Sequence, residues 1–111
     1  LTKEHFHACG ITDDMHVEVI GLDSANEWSK IFDEPDEAFD MQKVQIEIVS
    51  AAEEAVRANP EIGAFVLECT DLPPFARKIS ETTGLPVFDF VSMMSHVAIA
   101  LGELPIYERR I

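Results

Sequence analysis

Only two cysteines, Cys9 and Cys69, occur in the 111 residues, too few for a disulfide scaffold, so reduced thiols are the simpler expectation. No run of about 18 apolar residues is present to cross a bilayer, and no signal-peptide pattern appears. Cationic residues are scarce as well: eight Lys and Arg stand against 21 Asp and Glu, for a net charge of -13. A surface so acidic repels phosphate backbones and anionic lipid, which argues against nucleic-acid and membrane partners. A soluble, cytoplasmic protein is expected. The chain also lacks an initiating methionine, and its first recognisable element is already a helix, so a fragment or processed product is expected.

What is present fits one folded domain spanning residues 1–111, with 47% hydrophobic residues and no internal repeat. The charge is uneven. Residues 1–62 hold 15 acids and four bases, whereas residues 63–111 hold six acids and four bases. The second part is therefore nearly neutral, and a carboxylate ligand there would have to be held by local groups.

In chain order, Thr2 is a candidate cap for a helix from Lys3 to Ala8, which Gly10 stops. His16 to Leu22 reads as a strand on its β-branched content. Ser24-Ala25-Asn26-Glu27 matches a capping box that opens a helix carrying Trp28, Ile31 and Phe32. The longest helical signal runs from Asp36 to about Asn59, with Met41, Val44, Ile48 and Ala55 recurring at three and four. Ile62 to Leu67 and Leu85 to Phe90 read as short buried strands. Between them lies a helix ended by Gly84, and after them a helix capped by Ser92. This alternation predicts an α/β fold: a parallel sheet with helices on both faces and right-handed crossovers, three-layered and flavodoxin-like.

The stretch Glu68-Cys69-Thr70-Asp71-Leu72-Pro73-Pro74 follows the first of those buried strands, and its prolines suit a helix start. Cys69 is thus placed in a strand-to-helix turn, at the end of a parallel sheet where such folds bind ligands. The positive end of a helix and free backbone N–H groups there favour a thiolate.

The run GAFVLECTDLPPFARKISETTGLPVFDFV, from Gly63 to Val91, resembles the carboxyl-terminal half of the aspartate/glutamate racemase superfamily. The earlier Leu1 to Gly10 and Val19 to Leu22 look like the start of that half. The resemblance implies one of two facing α/β halves, each contributing a cysteine to a site between them. Cys69 matches the second cysteine, followed by the usual Thr70; the family's His or Glu is Asp71 here, and its common Gly is Glu68. What it implies is a cofactor-independent racemase or epimerase acting on a small carboxylate compound such as an amino acid or hydantoin. Cys69 would be one of two acid/base thiols, with Thr70 and Asp71 binding substrate. Two thiols can exchange a proton across an α-carbon, and preorganised donors must meet the enediolate charge. The amino-terminal half of the same protein is the implied partner, and the fragment alone is expected to be inactive. The alternatives are a decarboxylase or cis-trans isomerase of a small diacid, or a non-catalytic α/β binding or assembly domain. An unpaired sheet edge leaves association with a second copy open.

Other polar residues read as structural. Cys9 falls on the apolar side of a short helix, and Asp89 suits hydrogen bonding to loop amides. His5 and His7 are two apart, which on a helix points them to different faces, so no metal site is expected.

Overall fold

A computed structural model describes residues 1–103; the tail that the sequence leaves unassigned lies outside them from residue 104 onward. Among the described residues are five α-helices: α1 (Lys3–Ala8), α2 (Asn26–Asp33), α3 (Met41–Ala58), α4 (Ala76–Thr83) and α5 (Phe90–Ala100). Two short strands, β1 (Phe65–Val66) and β2 (Val87–Phe88), pair in parallel, and a 3-10 turn at Pro73–Phe75 precedes α4. No described helix is long and apolar enough to cross a membrane.

The helix borders follow from their caps. The Asp40 carboxylate accepts hydrogen bonds from the Gln42 and Lys43 N–H groups, so α3 starts at Met41 and not at Asp36. Pro35 and Asp36 are spent on a turn, in which the Glu37 N–H donates to the Glu34 carbonyl. At α2 the expected Ser24 to Glu27 capping box does not form. Instead Glu47 of α3 accepts the N–H groups of Glu27 and Trp28 at 3.0 Å. Glu27 in turn accepts the Asp40 N–H at 2.9 Å and the Lys30 ammonium at 3.2 Å. Each helix start is therefore held by an acid carried on the other helix. Gly84, at a φ of 72°, ends α4 in the left-handed conformation that a side chain disfavours.

The core gathers Trp28, Val44, Ile48, Phe65, Phe75 and Ile79 with smaller neighbours, at the meeting of α2, α3, α4 and β1. Phe65 opposes Val87 on the sheet face that α3 and α4 cover. Val66 opposes Phe88 on the other face, and these are 77% and 56% exposed.

The expected three-layered, flavodoxin-like parallel sheet is not what forms. The described residues are mostly helical with one two-stranded ladder, covered on one face. His16 to Leu22, expected as a strand, pairs with nothing in a sheet. Its Val17, Val19 and Ile20 are exposed, and the Glu18 carboxylate accepts a hydrogen bond from the Asn59 amide beyond the end of α3. That tether holds the segment at the α3 terminus. Helix α5 carries no buried residue.

Candidate functional site

Two ladder hydrogen bonds set the approach to Cys69: Phe65 N–H to the Pro86 carbonyl at 2.9 Å and Leu67 N–H to the Phe88 carbonyl at 2.8 Å. Beyond Leu67 the chain leaves the ladder and turns at Cys69, Thr70 and Asp71. The Leu72 N–H closes this turn on the Cys69 carbonyl at 3.2 Å. Leu72 and Phe75 are buried, which fastens the far side of the turn to the core. The strand-to-helix placement expected for Cys69 is thus present, with the 3-10 turn standing between strand and α-helix.

Cys69 is half-buried and packs against the core, while Thr70 and Asp71 are exposed. The Cys69 thiol points to the Asp71 carboxylate, with Sγ 3.9 Å from Oδ2. This distance is long for a strong hydrogen bond but fits a sulfur donor. Glu68 is exposed on the same turn. The three sequence-derived site residues therefore sit on one short turn open to solvent.

Which donors are available differs from the sequence expectation. Pro73 and Pro74 have no N–H, and the Phe75 N–H donates to the Leu72 carbonyl at 3.0 Å, so the helix start itself offers few free amides. The N–H groups of Cys69, Thr70 and Asp71 enter no backbone hydrogen bond among the described residues. They are the donors left for a carboxylate. The signal was in the sequence, since a Pro-Pro pair removes two amides from any helix that it opens.

Asp89 is occupied as the cap of α5: its carboxylate accepts the Ser92 N–H at 2.6 Å, and its own N–H donates to the Ser92 hydroxyl at 2.8 Å. Cys9 is exposed at the end of α1, where the sequence placed it on an apolar side. His7 pairs with Asp13 at 2.9 Å and His5 with the Thr2 hydroxyl at 2.9 Å. Among the described residues no three His, Cys, Asp or Glu side chains gather as metal ligands. Surface depressions lie beside Gly10 and between α3 and α4, neither of them lined by Cys69.

No family model matches the chain, and no solved structure gives a significant match. The chain is 42% identical over 55 residues to dimethylsulfoniopropionate lyase of Durusdinium sp. clade D, a match over 50% of this chain and 18% of that protein. It is 38% identical over 64 residues to dimethylsulfoniopropionate lyase 5 of Emiliania huxleyi strain CCMP1516, over 58% of this chain and 13% of the relative. With dimethylsulfoniopropionate lyase 2 of Emiliania huxleyi it shares 31% identity over 101 residues, covering 81% of this chain and 29% of the relative. A match over that share of 111 residues necessarily takes in Cys69. These names overturn the racemase-superfamily expectation and with it the racemase, epimerase, decarboxylase and cis-trans isomerase readings. The reason lies in the chemistry: the quoted run sets a thiol beside carboxylate donors, which suits removal of an α-proton, and contains nothing that decides whether a proton returns or a leaving group departs. The chain spans less than a third of the length of each of these relatives.

Proposed function

We propose that this chain is the thiol-bearing part of a lyase that cleaves dimethylsulfoniopropionate by β-elimination. The observation that carries the reading is the Cys69–Asp71 pair on an open turn whose neighbouring amides are free, inside the span matched to a lyase so named. The substrate has a carboxylate, an α-carbon, and a β-carbon bearing a dimethylsulfonium group. The free amides of Cys69, Thr70 and Asp71, with the Thr70 hydroxyl, bind the carboxylate and take up the charge that develops on it. Cys69, as thiolate, removes the α-proton, and Asp71 orients the thiol and passes its proton on to water. The α C–H electron pair becomes the α–β double bond. The β C–S pair leaves with sulfur, giving acrylate, neutral dimethyl sulfide and one proton.

Charge supports this substrate over a simple anion. Glu68, exposed beside the turn, complements the sulfonium cation, and the net charge of -13 attracts it. No cofactor is needed for an elimination of this kind. A cytoplasmic setting that keeps both free cysteines reduced belongs to the same proposal. So does the amino-terminal portion of the gene product as partner, the source of the groups that would close the site over the substrate.

The test is to supply dimethylsulfoniopropionate to the gene product in deuterated water. Equimolar acrylate and dimethyl sulfide are expected. Incorporation of deuterium into unreacted substrate with no dimethyl sulfide would show proton transfer without elimination and sink the lyase reading. Binding with neither would mark a non-catalytic domain.

A further inference from the structure

Helix α5 follows β2 directly in the chain, and both leave apolar side chains exposed among residues 1–103. The large apolar side chains of α5, from Phe90 to Ile99, are 49–58% exposed, and Val66 and Phe88 are 77% and 56% exposed on the open face of the sheet. No Asp, Glu, Lys or Arg occurs from Phe90 to Gly102, in a chain that is otherwise 26% charged. Among the described elements α5 packs closely against none. Exposed apolar side chains concentrated in this way mark an interaction surface.

We propose that this surface is the seat of further polypeptide of the same gene product, lying outside residues 1–111, which completes the second face of the sheet. Two observations choose this occupant. The named relatives carry more than twice as much polypeptide outside the matched stretch as within it, since the match spans 13–29% of their lengths. A second copy would instead bring another net charge of -13 alongside the first, and like charges oppose that association. The docked segment has a matching apolar face with little charge, and it buries Val66 and Phe88 against α5. Its docking also restrains the Cys69 turn, because β1 leads directly from Val66 to that turn.

Hydrogen–deuterium exchange and sedimentation, run on the 111-residue chain and on the full gene product, test this. In the full product the amides of residues 90–101 should exchange more than about tenfold more slowly than in the short chain, at a sedimentation coefficient independent of concentration. V97D should lower the unfolding midpoint of the full product and leave that of the short chain unchanged. Equal exchange in both overturns the proposal, as does a gene product with nothing beyond these residues. Protection that appears only as the protein self-associates overturns it in favour of a second copy. Dimethyl sulfide release is not among these readouts, so failure of the lyase reading and failure of this one are distinguishable.

Discussion

At the scale of single residues, reactivity rests on where two thiols sit. Cys9 is exposed at the end of α1 beside no carboxylate donor site, whereas Cys69 is half-buried next to Asp71 and a row of free amides. Bound dimethylsulfoniopropionate should therefore slow iodoacetamide alkylation of Cys69 and leave Cys9 unaffected, as read by peptide mass spectrometry. Equal slowing of both, or of neither, would remove the substrate from the turn. The Asp71 carboxylate is assigned to handling the proton and not to binding. D71N should accordingly lower kcat by about tenfold with little change in KM, the scale of a lost proton relay.

At the scale of elements, the molecule depends on the reciprocal clamp between α2 and α3. Glu47→Ala strips the acceptor from two α2 amides and should cost about 1–2 kcal/mol in urea unfolding, the usual range for a lost helix cap. Glu27 adds a pH dependence. The Asp40 N–H, and then Lys30, hold its carboxyl below the ordinary 4.5. A carboxylate whose folded pKa is depressed stabilises the fold above its unfolded pKa, and that contribution disappears as pH falls through the folded pKa. Glu27→Gln should thus lower stability at neutral pH and flatten its loss below about pH 4.5; an unchanged acid slope would contradict the clamp. The sequence showed α1, α2, α4, α5 and the turn at Cys69, because periodicity, Gly84 and the proline pair act locally. It misplaced the α2 and α5 caps and the α3 start: Glu47 lies 20 residues from the amide that it holds, and Asp89, not Ser92, caps α5. The strand expected from His16 to Leu22 failed for a related reason: β-branched content favours extended backbone but does not supply a neighbouring edge.

At the scale of the whole molecule, one sheet face is packed and the other is bare. Ile79 and Val44 are the most completely buried large side chains and join α4 to α3 beneath Phe65. Ile79→Ala should cost about 2–4 kcal/mol by opening a cavity there, measured as a shifted urea midpoint with an unchanged slope. Alternation of α and β signals led to a three-layered sheet. That reading required His16 to Leu22 to join the sheet and helices to cover both of its faces, and neither happens among the described residues. That Cys69, Thr70 and Asp71 share one turn was legible. The reaction was not, because the fate of a carbanion depends on the substrate's β-substituent and no residue in the run encodes it.

The central claim is that Cys69 drives carbon–sulfur cleavage. Headspace measurement of dimethyl sulfide from dimethylsulfoniopropionate tests it most directly, comparing the gene product with its C69S and C9S variants, each checked for an unaltered unfolding midpoint. The account predicts release by the parent and by C9S, and a loss of at least about 100-fold in C69S, the scale of a removed general base. Undiminished release from C69S, or none from the parent, would contradict it.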